Sequence, residues 1–348
     1  MWEQILNNYT LQIVLIGTVL LGIVSGIIGV FLTLKKEALV GDALSHATLP
    51  GVVLAYIFTH KASLFVSIIG AILAAGLAIG LMQIIKKYSK IKSDTVLAIV
   101  LSAFFGFGEV LLSIIRDTAG QNQARLKTFI FGQAATMSFN DVYFLLGILT
   151  IVLLTVILFY RHFKVYIFNR EFYQSLGYST TLISILLNAL TVFVVVSGIQ
   201  SVGIILMSEL LIAPAVAAKL WSQKLLNNLL LASLFGGMSG LFGTIYGTNL
   251  STGPVIVVFA SGIVLISILI APKTGFIWKK VTTQIHKTQI KKYHGLIHLF
   301  AVDNEYKFEK KDINLFLQKK YLTNINNNYQ LTQKGVNKVV NIMIGSLK

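Results

Sequence analysis

Along its first 272 residues the chain returns repeatedly to apolar runs close to the ~20 residues that cross a ~30 Å hydrocarbon layer. A backbone in lipid has no water to satisfy its N–H and C=O groups, so such runs fold as helices that bond within themselves. They fall near 11–34, 38–58, 63–85, 94–115, 141–160, 181–199, 202–218, 226–246 and 254–271. The pattern predicts an all-α, polytopic integral membrane protein with nine crossings, or eight if 122–134 or 202–218 is re-entrant. Only 12% of the residues are charged, where soluble domains are nearer a quarter. The start, Met1-Trp2-Glu3-Gln4, lacks a basic region and the 11–34 run is too long for a signal sequence, so it reads as a retained helix. There is no cysteine, which excludes disulfides, thiolate metal sites and cysteine nucleophiles.

Basic residues cluster at Lys35/Lys36, Lys86/Lys87/Lys90/Lys92, Arg161/Lys164/Arg170, Lys219/Lys224 and Lys273/Lys279/Lys280. These are alternate loops, so the positive-inside bias puts all five in the cytoplasm, with the N-terminus outside and the tail inside. Residues 273–348 hold 14 Lys/Arg against 4 Asp/Glu, a basic segment of different character from the apolar part. We therefore divide the chain into a transmembrane domain, 1–280, and a basic cytoplasmic extension, 281–348.

Two connections exceed plain turns. Residues 116–140 contain the apolar stretch 128–135, too short to span and expected at the outer interface. Residues 161–180 contain Asn169-Arg170-Glu171-Phe172-Tyr173-Gln174-Ser175-Leu176-Gly177, a short helix ending at a glycine C′ position. It suits either a docking knob for a soluble partner or an ordinary interfacial helix. Glycines four apart, Gly22/Gly26, Gly76/Gly80, Gly236/Gly240 and Gly243/Gly247, predict close helix packing within the bundle.

The segment Val40-Gly41-Asp42-Ala43-Leu44-Ser45-His46 carries a carboxylate and an imidazole four residues apart, on one helix face. Asp and neutral His are ligands for divalent first-row metals, and ionisable groups inside a membrane face a cavity, a partner or a pathway. Entering from the cytoplasm, His46 lies roughly 12 Å into a ~30 Å core. The competing reading is a capping Asp and a His bonded to a neighbouring helix. Two ligands are too few for Mn²⁺ or Zn²⁺, and a two-fold dimer would bring two of each residue together on its axis. Leu49-Pro50-Gly51 and Pro214 predict local helix distortion. Glu109 and Glu209 are further intramembrane acids, suited either to attract a cation and relay a proton or to sit bonded to a nearby serine. No H-E-x-x-H, G-x-S-x-G or Walker sequence is present, so the chain carries no hydrolytic or ATP site and is not expected to be an enzyme.

The extension reads as helices around 283–301 and near Asp312, a hairpin turning at Asn326-Asn327-Asn328, and an amphipathic helix from Leu331 through Val336, Val339, Val340 and Met343. This order is winged-helix-like, which raises DNA binding. Its tether beneath a membrane favours a lipid-surface or partner contact, and no nucleic acid is expected. His294 and His298 are better read as a solvated helix face than as a metal clip.

The stretch 36–51 resembles the signature of the permease subunits of bacterial metal-ion ABC transporters, the manganese/zinc/iron uptake group. The likeness continues through Ser93-Asp94-Thr95, Phe131-Gly132-Gln133-Ala134-Ala135, Val202-Gly203-Ile204-Ile205-Leu206-Met207 and Leu211-Ile212-Ala213-Pro214-Ala215. It closes at Ser251-Thr252-Gly253-Pro254 and Ala271-Pro272-Lys273-Thr274-Gly275, so it covers 1–280 in order. The resemblance implies a multi-pass protein of a bacterial plasma membrane that pairs with a second copy of itself, a cytoplasmic ATP-binding subunit and an extracellular metal-binding lipoprotein. It implies no permanent cofactor and a transported divalent ion, Mn²⁺ ahead of Zn²⁺ or Fe²⁺. It implies that Asp42 and His46 coordinate that ion and that Glu171, Phe172, Leu176 and Gly177 belong to the helix gripping the ATPase. Glu109 and Glu209 stand where such permeases carry small or apolar residues, and Ala98 where Gly is usual, so they are secondary metal-pathway candidates. A proton-coupled secondary transporter using Glu109 or Glu209 is the alternative.

Overall fold

In a computed structural model the described residues are 8–60, 64–115, 137–248, 252–272, 274–302, 310–325 and 328–346. The stretch expected at the outer interface, 128–135, lies outside them, as do Met1 to Gln4, Ser251, Lys273 and the Asn326-Asn327 turn. The chain divides into two compact units between Ile268 and Leu269.

The first unit is a bundle of α1 (Tyr9–Leu34), α2 (Val40–Thr59), α3 (Leu64–Tyr88), α4 (Ser93–Ile114), α5 (Phe139–Leu158), α6 (Tyr160–Phe168), α7 (Arg170–Ser175), α8 (Thr180–Val202), α9 (Ile204–Trp221), α10 (Leu225–Tyr246) and α11 (Thr252–Ile270). Among the described residues eight helices are long and apolar enough to cross a membrane: α1 to α5, α8, α10 and α11. The chain is a multi-pass membrane protein whose spanning unit is all-helical. The 18-residue α9 follows α8 directly, separated by Gly203 at φ +86°, a left-handed backbone that glycine adopts without strain. Pro214 does not break α9, and Pro50 sits inside an uninterrupted α2. Neighbouring helices can re-satisfy backbone groups that a proline frees in a bundle of this kind.

Helix α1 is central, with 72% of its spanning residues buried, against 17% for α11. It packs on α10 across Gly22, Gly26, Gly236 and Gly240, where any added Cβ would strike the facing backbone. Thr18 donates to the Gly240 carbonyl at 3.3 Å and shares a 2.8 Å hydrogen bond with Thr244, a polar link across the same seam. Helix α2 packs on α3 and α4, with Gly51 against Gly70 and Gly108 against Leu49 and Pro50. The Gly76/Gly80 pair behaves differently: a Cβ at either position meets nothing within 4 Å. Spacing alone did not separate the packed ladders from this open one.

The second unit holds α12 (Phe276–Lys292), α13 (His294–Val302), α14 (Lys310–Gln318), a hairpin of β1 (Leu322–Ile325) and β2 (Asn328–Leu331), and α15 (Gln333–Ser346). The strands pair antiparallel with Leu322 opposite Leu331. Tyr293, Leu296, Phe316, Leu322, Val339 and Ile342 form its small core. Thr332 accepts from the Gly335 N–H at 3.1 Å to cap α15, while Asp312 lies in the first turn of α14.

Candidate functional site

Asp42 and His46 lie in the first two turns of α2, a helix otherwise buried along residues 40–53. Asp42 keeps 32% of its side chain accessible and His46 25%, on the same side one turn apart. The neighbouring hydroxyls turn inward: Ser45 donates to the Gly41 carbonyl at 2.8 Å and Thr48 to that of Ser45 at 2.7 Å. Local bonding to the preceding turn satisfies these buried groups. The open polar edge of this helix start is therefore the carboxylate and the imidazole.

His46 Nε2 stands 3.5 Å from Asp42 Oδ1. Two donors each about 2.1 Å from one ion and about 109° apart stand about 3.4 Å from each other, so the spacing suits a shared cation. The imidazole meets the edge of Phe105 on α4, with centroids 5.0 Å apart and planes at 81°. Its Nδ1 is buried with no hydrogen-bond partner among the described residues, so aromatic packing rather than a hydrogen bond sets the ring. Among the described residues no third His, Asp or Glu joins the pair. One chain thus supplies two ligands, and a first-row ion wants at least four.

The other acids part ways. Glu109 is exposed, one turn beyond Phe105 on α4. Glu209 on α9 is half-buried and accepts a 3.0 Å hydrogen bond from Ser261 on α11. The serine-bonded alternative thus fits Glu209 and not Glu109.

The 161–180 loop forms two helices. Asn169 caps α7 by accepting from the Phe172 N–H at 2.9 Å, and Gly177 closes it at φ +81°. Tyr173 is buried, and its hydroxyl lies 3.2 Å from His162 Nδ1 on α6. That anchor holds α7 in place while Glu171, Phe172 and Leu176 remain exposed.

Two contributors were missed in the sequence. Phe105 gave a signal only as part of the aromatic run Phe104-Phe105-Gly106-Phe107. Glu37, in the connection ahead of α2, bridges Lys35 and Lys86 at 2.8 Å each. Burial pushes its carboxyl up, but the two ammonium groups outweigh that and hold it below its ordinary value. The clasp ties the start of α2 to the end of α3. Lys-Lys-Glu in a loop looks like ordinary solvated charge, so nothing local announced it.

These elements define a class: a polytopic helical membrane protein with an acid–imidazole pair opening from one span. Residues 7–271 match the ABC 3 transport family, and the chain belongs to that family. It is 41% identical over 279 residues to the zinc transport system membrane protein TroC of Treponema pallidum, covering 79% of this chain and 94% of that protein. It is 40% identical over 284 residues to the manganese transport system membrane protein MntC of Bacillus subtilis, covering 81% of this chain and 65% of that protein. The solved structure of PsaBC from Streptococcus pneumoniae in complex with Fab superposes with a TM-score of 0.69 at 32% identity, over 80% of this chain and 98% of that one.

Proposed function

We propose that this chain is the permease of an ATP-driven importer that carries a divalent metal ion, Mn²⁺ ahead of Zn²⁺ or Fe²⁺, across a bacterial plasma membrane. The observation that carries the reading is the Asp42–His46 pair, donors at 3.5 Å on the open side of an otherwise buried helix. The names of the relatives, which include manganese and zinc transport proteins, support the cargo.

The ion is substrate, held transiently between Asp42 and His46 of this chain and the same two residues of a second copy. The dimer supplies the four donors that one chain lacks. Helix α4 supports this pairing, because Ser102, Gly106 and Glu109 are exposed on it and a carboxylate facing lipid is costly. Negative charge on Asp42 draws the cation in, and the neutral imidazole completes the bond to it. Phe105 positions the ring. Glu109 adds negative potential along the same helix, whereas Glu209 is satisfied by Ser261 inside the bundle. ATP is hydrolysed on a separate cytoplasmic subunit that grips Glu171, Phe172, Leu176 and Gly177 of α7 and its cap. An extracellular metal-binding lipoprotein hands over the ion.

The test is metal accumulation in cells carrying the whole system, wild type against Asp42→Ala and His46→Ala at matched membrane abundance. Manganese uptake falling at least about a hundredfold in each, as for loss of a coordinating group worth roughly 3 kcal/mol, is expected. Undiminished uptake sinks the assignment. Uptake that survives loss of the ATPase and collapses with the proton gradient favours a secondary transporter instead.

A further inference from the structure

At the end of the bundle that the positive-inside bias assigns to the cytoplasm, a cavity of about 800 Å³ opens between α3, α6, α8 and the connection ahead of α2. Five cations line it, Lys35, Lys36, Lys86, Lys87 and Arg170, against one carboxylate, Glu37. Glu37 is already engaged by Lys35 and Lys86. Lys36, Lys87 and Arg170 are exposed and face the cavity as surplus positive charge.

A second cavity adjoins it. A groove of about 320 Å³ between α3 and α8 shares Ile79, Gln83 and Asn188 with it. Apart from the two amides its walls are apolar: Ile72, Gly76, Ile185, Ala189, Val192 and Phe193. From Gln83 to Ile72 a helix rises about 16 Å, close to half of a ~30 Å hydrocarbon core. The groove is thus one leaflet deep, with two amides at its mouth and a basic chamber below.

We propose that this composite site binds an anionic glycerophospholipid of the cytoplasmic leaflet. The phosphate sits among Lys36, Lys87 and Arg170, and Gln83 and Asn188 lie level with the glycerol esters. One acyl chain fills the groove over Gly76. The two adjoining cavities offer complementarity of two kinds. A soluble anion satisfies the chamber and leaves the groove empty, and a neutral lipid does the reverse. Basic pockets between membrane helices on the cytoplasmic side are a known setting for anionic headgroups. The chamber also includes Arg170, the first residue of α7, so an occupied site would brace the helix that couples to the ATPase.

The experiment is native mass spectrometry of the full-length protein in detergent, titrated separately with phosphatidylglycerol, phosphatidylcholine and glycerol 3-phosphate. Phosphatidylglycerol is expected to be retained at least tenfold better than either of the others. Lys36→Gln with Arg170→Gln should weaken it roughly thirtyfold, about fivefold per cation removed. Both residues are exposed, and thermal melting checks that the fold persists. Gly76→Leu puts a side chain into the groove at a position where a Cβ meets nothing within 4 Å, and the same melting check applies to it. It should abolish preferential lipid retention and leave glycerol 3-phosphate binding as it was. Equal retention of the two lipids overturns the proposal. So does wild-type retention by Gly76→Leu, or glycerol 3-phosphate binding as tightly as the lipid.

Discussion

The α1–α10 seam and the outer face of α4 are both built with small residues, yet they do opposite things. In the seam, Gly22, Gly26, Gly236 and Gly240 bring two backbones into contact, and no added carbon fits. On α4, a Cβ at Gly106 meets nothing within 4 Å, and Ala98, Ser102 and Glu109 beside it are exposed. The seam is complete within one chain. The α4 face is exposed in the single chain, and its acid and hydroxyl suit a protein partner or a watery path better than lipid. Small residues in a membrane helix thus mark close approach, and only the surrounding chemistry tells whether the approaching surface is already present.

The largest effect should come from breaking the seam. Gly22→Leu drives a side chain into the Gly236 carbonyl, which is backbone and cannot rotate away. Overpacking of flexible cores costs about 1–3 kcal/mol, and a rigid neighbour puts this substitution at or above the upper end. Detergent extraction followed by size-exclusion chromatography should recover little folded protein. A variant that extracts and melts like wild type would remove the seam from the account.

The same substitution on the open face sharpens the contrast. Gly106→Leu has room within its own chain, so the isolated protein should keep its stability within about 0.5 kcal/mol. If a second copy covers this face, overpacking by about 1–3 kcal/mol weakens the dimer roughly five- to hundredfold. Crosslinking in membranes and metal uptake measure that loss together. A Gly106→Leu protein that dimerises and transports normally would mean that α4 faces something other than its twin.

The contrast also locates what a sequence can disclose. The spans were legible because hydrocarbon leaves the backbone one local solution, so length and polarity suffice. Asp42 and His46 were legible because helical spacing alone places them together, and Gly177 because a helix end needs a left-handed residue. Phe105 and the Glu37–Lys86 half of the clasp were not, since those partners lie on other helices and pairing across helices leaves no spacing to read. The Gly76/Gly80 pair misled for the same reason: its spacing matches Gly22/Gly26, yet both positions are open and only the position of α8 decides that Gly76 lines a groove. Pro214 predicted a break that a bundle able to satisfy the freed backbone group does not need.

The smallest effect concerns a contact that is neither the closed seam nor the open face. The Glu37 clasp joins α2 to α3 by charge, at the membrane edge, with a side chain that is 20% accessible. Partial exposure screens it, so Glu37→Gln should cost roughly 1 kcal/mol at neutral pH. The pH dependence identifies the cause. Folding holds this carboxyl below its ordinary value of 4.5, so its stabilisation is present in full above that value. It is lost as pH falls from there through the depressed folded-state value. Melting curves of wild type and Glu37→Gln should therefore differ at pH 7 and converge on acidification. A difference that persists unchanged in acid would assign the contact to packing of the side chain rather than to its charge. In that case Glu37 holds α2 by packing, alongside the close approaches at Gly41, Gly51 and Gly108 that position Asp42 and His46.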